Sequence, residues 1–300
     1  MSTDRSHLAS VVVALFVTLL WSSSWVLIRW GFDKESLDPL TFAALRYGIA
    51  SAVMIVWVLS KRTYRRQVAS MNRRLALRIV VLGIVFYALT QGSIFVALDN
   101  QPAATTSLML ALTPLFVGML AGTSLRESSS ARQIWGTILV AGGAWMYFTG
   151  GLGATAIGMV AAIVALGANV AGSLLGRQVN RRAETSPVVI TAISMTVGSV
   201  LLASVGLASE GVPTVTPTAW LIILWLAVVN TALAFTLWNL SLRRLSALES
   251  AGINNTMLVQ IAVLAWIFLG ERPGASGFAG IILVSIGVLL TQKYSGAARS

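Results

Sequence analysis

Apolar blocks of about 20 residues recur along the whole chain, parted by short polar segments. A block of that length crosses the roughly 30 Å hydrocarbon layer of a bilayer as a helix. Within hydrocarbon every backbone N–H and C=O must find its partner in the protein, so a chain built from such blocks folds as packed helices. Of the 300 residues, 56% are hydrophobic and 10% are charged, against about 25% charged in soluble domains. The mean hydropathy of +0.82 points the same way. A soluble globular protein is excluded, and an all-α polytopic membrane protein is expected. The first block, Leu8 to Ile28, has no small-x-small cleavage site followed by a polar mature domain, and is read as a retained span.

Ten spans are expected, near 8–28, 39–60, 76–98, 102–122, 131–149, 153–176, 186–208, 219–240, 247–269 and 274–291. The formal net charge is +11, which in a soluble protein would suit nucleic acid. Here the cations sort by loop instead. With a cytoplasmic N-terminus, the inside segments hold Arg5, the run from Lys61 to Arg78, Arg126, Arg132, Arg177, Arg181, Arg182, Arg243, Arg244, Lys293 and Arg299. The outside segments hold only Arg29, Lys34 and Arg272. That asymmetry is the positive-inside signature, and it puts both termini in the cytoplasm. The basic run "KRTYRRQVASMNRR" (61–74) is read as a cytoplasmic loop or short amphipathic helix at anionic headgroups. No nucleic-acid partner is expected.

The two halves repeat. Ala88, Leu89 and Leu98 align with Ala232, Leu233 and Leu242, and Glu127, Gly136 and Gly143 with Glu271, Gly280 and Gly287, at one constant offset. Upstream the offset is four residues larger, and "DPL" at Asp38–Leu40 meets "SPV" at Ser186–Val188. Residues 1–150 and 151–300 are therefore expected to form two five-helix repeats within one transport unit. Five is odd, so the second repeat enters the membrane inverted. Inverted repeats are a common build of secondary transporters, which bind substrate near the midplane. Glu127 and Glu271, repeat mates after matching apolar runs, are read as charges that anchor helix ends.

Four segments carry a family resemblance: "LLWSSSWVLIRWGF" (19–32), "DPLTFAALRYGIAS" (38–51), "TSLMLALTPLFVGMLAGTSLRE" (106–127) and "LVQIAVLAWIFLGE" (258–271). They resemble the EamA branch of the drug/metabolite transporter superfamily, over nearly the whole chain. Within that branch the chain is similar to bacterial amino-acid exporters of the YddG type. The resemblance implies ten helices, a bacterial inner-membrane location and export of small metabolites. The first-half motif departs from the family's G-E, reading Arg126-Glu127.

The polar residues limit the chemistry. There is no cysteine, and the single histidine, His7, lies ahead of the first span. Thiolate chemistry is excluded, and neither an enzyme nor a metal or other cofactor is expected. The carboxylates, Asp4, Asp33, Glu35, Asp38, Asp99, Glu127, Glu184, Glu210, Glu249 and Glu271, all fall in loops or at span ends. An embedded acid for a proton or a cationic drug is thus lacking, which favours a neutral or zwitterionic substrate. Arg46 is the one cation inside a span, at roughly 10 Å depth from its position past Pro39. It is either an anchor for a substrate carboxylate or phosphate, or a structural arginine that snorkels outward.

Uncharged polar and aromatic side chains supply the other candidates. Trp21 and Trp25 share a helix face, and their repeat mates are Asn169 and Ser173. Tyr87 and Gln91 share another face. Trp238 and Asn239 lie in the eighth span, Thr106 and Thr113 in the fourth, and Asn254, Asn255 and Gln260 in the ninth. Amides facing lipid would stay unpaired, so these groups should face the bundle or a cavity. The expected substrate-binding set is Trp21, Trp25, Arg46, Tyr87, Gln91, Thr106, Thr113, Asn169, Ser173, Trp238, Asn239 and Asn254, lining a central cavity. Belt tryptophans and helix–helix hydrogen bonds are the plainer readings of the same residues.

The expected function is export of small neutral or zwitterionic metabolites, amino acids first, by alternating access. The partners implied are a small-molecule substrate and the lipid bilayer, and no oligomer is required. A multidrug cation exporter would need an embedded acid, and a sugar-phosphate or nucleotide-sugar transporter would need more basic groups than Arg46. The topology is directly testable because the chain is free of cysteine. In intact cells a membrane-impermeant maleimide should label Lys34→Cys, and Arg66→Cys only after lysis. The reverse pattern would invert the topology.

Overall fold

In the computed structural model, residues 2–113, 116–117, 120, 131–149, 153–182, 185–234, 237–238, 241, 245, 247–272 and 274–291 are described. Helices α1 (Ser2–Glu35), α2 (Pro39–Ser60), α3 (Arg62–Ala69), α4 (Arg73–Leu82), α5 (Thr90–Asn100) and α6 (Ala103–Ala111) are followed by α7 (Ala131–Thr149), α8 (Ala156–Arg182), α9 (Pro187–Ser209), α10 (Pro217–Ala227), α11 (Ala247–Leu269) and α12 (Ala275–Thr291). A π-helical segment, Gly83–Leu89, joins α4 to α5, and another, Val228–Leu233, continues α10. No strand occurs among the described residues. Five helical runs are long and apolar enough to cross a membrane: His7–Glu35, Pro39–Ser60, Arg73–Asn100, Ala156–Gly176 and Pro187–Ser209. Ile138–Tyr147, Pro217–Leu233, Thr256–Leu269 and Ala275–Leu290 are shorter apolar helices.

Helix ends differ from the apolar boundaries. Helix α1 continues to Glu35, past the apolar block that ends at Ile28, because residues 29–35, which include no proline, retain every backbone donor. It stops at Ser36, whose φ is 49°, and Leu37 N–H reaches back to the Gly31 carbonyl at 3.4 Å. Helices α2, α9 and α10 each begin on a proline, which gives up only a donor that a first turn leaves unpaired anyway. The π segments occupy matching positions in the repeat. Thr90 donates to the Val85 carbonyl and Thr231 to the Leu226 carbonyl, both 2.9 Å and five residues back, taking up acceptors that the wider turn frees.

The described chain forms two compact units. One comprises Met1–Arg29, Gln101–Thr155 and Leu233–Ser300; the other comprises Trp30–Asn100 and Ala156–Ala232. Each draws on both sequence halves. In the second unit α2 packs on α9, its repeat mate, and the Ser51 and Ser199 hydroxyls approach to 3.5 Å across a separation of 148 residues. Helix α9 also meets the third span closely: a Cβ on Gly198 would lie 2.3 Å from the Tyr87 Cβ, and one on Gly83 would lie 2.4 Å from the Ser194 carbonyl oxygen. Gly172 is pressed against the Phe86 ring, so this small residue serves packing within the unit. Phe32, Phe42 and Phe95 form an edge-to-face cluster, and Phe42 and Phe95 are fully buried.

In the first unit α7 packs on α12, again its repeat mate. A Cβ on Gly143 would lie 2.7 Å from the Gly280 carbonyl oxygen, and one on Gly287 would lie 2.7 Å from that of Gly136. Residue i of one helix thus meets the mate of residue j, and j meets the mate of i, as a local two-fold axis requires. Leu108, Val140, Tyr147, Leu258, Ile281 and Val284 fill the adjoining core.

Helix starts are closed by side chains from elsewhere in the same unit. Glu210, which ends α9, accepts from Leu40 N–H at 2.9 Å and Thr41 N–H at 2.8 Å at the start of α2. Gln67 of α3 returns the favour, accepting from Ser186 N–H at 2.9 Å at the start of α9. Asp38, the conventional cap of α2, makes no side-chain cap bond, and burial together with the Glu210 charge pushes its carboxyl up from the usual range. In the first unit Glu271 accepts from Ala103 N–H at 3.0 Å and Ala104 N–H at 3.4 Å at the start of α6. It is aimed there by Gly270, whose φ of 68° suits only a residue without a Cβ, and by its own N–H bonding the Ala265 carbonyl at 3.3 Å. Glu271 is thus a helix-end anchor, as expected. Its mate Glu127, with Arg126, lies outside the described residues.

Replacing Glu210 or Glu271 by alanine should therefore uncap α2 or α6 and cost about 1–2 kcal/mol each. Thermal unfolding of the purified protein in detergent should show a lower midpoint for both variants, with glutamine costing less than alanine. Unchanged midpoints would remove the capping role.

Candidate functional site

Trp21, Trp25, Thr106, Thr113, Trp238 and Asn254 belong to the first unit. The Trp21 and Trp238 rings approach to 5.3 Å between centroids with a 53° tilt, so α1 and the eighth span bring two expected residues together. Trp25 is half-buried one turn further along α1, and Asn254 is exposed. Asn239 lies outside the described residues, and the side chain of Asn255 does as well. Thr106 and Thr113 are buried. Thr106 accepts from the Gln101 amide at 3.1 Å, so its hydroxyl helps to organise the start of α6.

A polar knot in this unit was only partly legible. The Gln260 amide donates to Thr18 at 3.2 Å and Thr256 at 3.1 Å, and its carbonyl accepts from Ser22 at 2.9 Å. Gln260 was noticed as a polar residue, but Thr18 and Ser22 were not. Their spacing, Thr18 and Ser22 on one helix and Thr256 and Gln260 on another, is a double i, i+4 pattern that could have revealed the pair. Every group of this amide is paired, so it joins α1 to α11 and has little left for a ligand.

Arg46, Tyr87, Gln91, Asn169 and Ser173 belong to the second unit. Asn169 and Ser173 are half-buried on α8. Tyr87 is buried in the π segment, with its ring 6.0 Å from that of Tyr47. The Tyr47 hydroxyl donates to the Gln91 carbonyl oxygen at 2.6 Å. Arg46 is 7% exposed, and its guanidinium carbon stands 5.3 Å from the Tyr47 ring centroid. Its Nε is buried with no hydrogen-bond partner. Tyr47, which links Arg46 to Gln91, escaped the sequence reading because its position resembles an ordinary core aromatic. An open groove on this unit is lined by Ile84, Thr196, Val197, Val200, Leu201 and Ser204. It holds none of the expected residues and suits a lipid chain better than a zwitterion.

All described acids with known surroundings stand near helix ends, where Glu35 accepts from the Thr216 hydroxyl at the start of α10 in addition to the caps above. Among the described residues no group of histidine and carboxylate side chains could hold a metal. Among the described residues the groups on offer are aromatic faces, amides, hydroxyls and, in the second unit, the buried Arg46 guanidinium.

The model of the EamA-like transporter family matches residues 8–149 and 156–292. The chain belongs to this family. It is 24% identical to the "Uncharacterized transporter YyaM" of Bacillus subtilis, over 98% of this chain and 99% of that one. It is 25% identical to the "Probable terminal-alkyne amino-acid exporter" of Streptantibioticus cattleyicolor, over 93% and 94% of the two chains. Identity to the "Probable amino-acid metabolite efflux pump" of Escherichia coli is 23%, over 93% of each. A crystal structure 19% identical in sequence superposes with a TM-score of 0.65, over 94% of this chain and 97% of that one, and shows that the fold is shared. The chain is a multi-pass membrane transporter.

The Trp21–Trp238 contact should be measurable by a double-mutant cycle. Trp21→Leu, Trp238→Leu and the double variant should show a coupling of about 0.5–1.5 kcal/mol in thermal or denaturant stability. A cycle that closes to zero would show that the rings make no energetic contact.

Proposed function

We propose that this EamA-family transporter exports small neutral or zwitterionic metabolites, amino acids first, by alternating access, as ten spans in two inverted repeats with both termini in the cytoplasm. The observation that carries this reading is the placement of charge. Carboxylates that a cation exporter would use inside the membrane are spent on helix ends, where Glu210 and Glu271 accept backbone N–H groups. Within the second unit the Tyr87 ring and the Gln91 amide offer an aromatic face and N–H donors, which suit a substrate with an apolar side chain and a polar head.

Two further observations support it. The family model matches in two successive stretches, one in each sequence half. The packed pairs α2 with α9 and α7 with α12 are repeat mates in contact. The names of the relatives from Streptantibioticus and Escherichia add support for amino-acid compounds as substrates.

Counterflow in proteoliposomes tests the reading. Labelled phenylalanine and threonine should exchange saturably, and should do so without a pH gradient, because the carboxylates Glu210 and Glu271 are engaged at helix starts rather than placed to couple protons. A cationic dye should exchange poorly. Dye uptake that requires the gradient, with no amino-acid exchange, would overturn the proposal in favour of a multidrug exporter.

A further inference from the structure

Arg46 is in a position that the packing of its unit leaves unexplained. It lies within α2, inside an apolar span, and is 93% buried by the same measure that gives it 7% exposure. A guanidinium keeps its charge at any ordinary pH, and a buried charge without a counter-ion is costly. Yet among the described residues no carboxylate pairs with it, and Nε has no acceptor. Two carboxylates of this unit are engaged elsewhere, Glu210 at the start of α2 and Glu35 on Thr216.

Its neighbours define what could complete it. The guanidinium stands over the Tyr47 ring at 5.3 Å. A guanidinium can grip a carboxylate with two parallel N–H bonds, and contact with a ring uses none of those donors. Tyr47 is fixed in turn, because its hydroxyl donates to the Gln91 carbonyl oxygen at 2.6 Å. That bond engages the acceptor end of the Gln91 side chain and leaves its two amide N–H groups as donors. Arg46, Tyr47 and Gln91 thus form a connected set that carries one fixed positive charge and the N–H donors of a guanidinium and an amide. Such a site favours an anionic group over a cationic one.

We propose that Arg46 is the receptor for the carboxylate of the transported molecule, with Gln91 as a second donor and Tyr47 as the ring beside the guanidinium that links the two. The inference rests on the export reading above and deepens it, since it names the head group that the transporter recognises. A zwitterion brings the missing acceptor oxygens, whereas an amine or an amide brings none and leaves Arg46 unpaired. Selection between them then follows from the cost of a buried charge left alone.

The test compares phenylalanine with phenylalaninamide, which keeps the ring and the amine and lacks the carboxylate. Both are followed by counterflow in proteoliposomes containing the full chain. Wild type should exchange phenylalanine at least tenfold faster than the amide. Arg46→Gln should lose most phenylalanine exchange while amide exchange holds or rises, so that the ratio collapses. Arg46→Lys keeps the charge without the two-pronged edge, and should raise KM for phenylalanine several-fold with little change in the maximal rate. If Arg46→Gln does not fold, the lysine variant decides. An unchanged KM in Arg46→Lys, or an unchanged ratio in folded Arg46→Gln, would overturn the assignment and leave amino-acid export standing. A wild type that exchanges neither phenylalanine nor threonine would overturn the export reading itself, before any variant is made.

Discussion

The start of a transmembrane helix exposes four backbone N–H groups, and in a packed bundle these cannot be left to water. This chain closes them with long acceptors from the ends of other helices. Glu210 serves α2, Gln67 serves α9, and Glu271 serves α6. In the second unit the arrangement is reciprocal, since the segment after α2 caps α9 and the residue after α9 caps α2. Each bond fixes where one helix begins relative to where its neighbour ends. The scarcity of acids within the spans follows from the same economy, because the few carboxylates present are worth most beside the positive end of a helix dipole.

Close approach between helices is the second constraint, and small residues supply it. Lipid tails are as apolar as leucine, so helices in a membrane gain little from hiding apolar surface and depend on packing. Gly143 and Gly280 let the backbones of α7 and α12 meet, and Gly198 lets α9 lie on the third span. The pairs that meet are repeat mates, which is how each compact unit comes to hold residues from both halves. The two π segments at matching positions belong to the same pattern, because one wider turn in each half re-aims the side chains that follow it.

Much of the fold was legible in the residues. Apolar length marked the spans, and the span expected from Pro39 begins there in the structure, whereas the one expected near 219 begins two residues earlier, at Pro217. Gly270 and Glu271 were legible as a helix end because glycine suits the left-handed turn that terminates a helix. The π segments were not legible, since "GIVFYAL" and "VVNTAL" are as compatible with an α-helix as with the wider turn. The candidate site was legible in kind rather than in partnership. Trp21 and Trp238 meet, but Thr106 turned inward to Gln101, and Gln260 was claimed by Thr18 and Ser22.

Membrane residence and helical class follow from the residues alone, because the bilayer imposes one length and one hydrogen-bonding rule on every span. The family pattern likewise occurs twice along the residues, once in each half. Which polar group would meet which could be decided only by packing. An amide on a helix has the same local signature whether it ties two helices together, as Gln260 does, or retains free donors, as Gln91 does. The difference lies in partners 44 positions away for Gln91 and 242 for Gln260, and long-range contact is what the one-dimensional pattern does not contain. Arg46 is the clearest case: its charge is written in the chain, but that its Nε is buried without an acceptor is visible only in the folded structure.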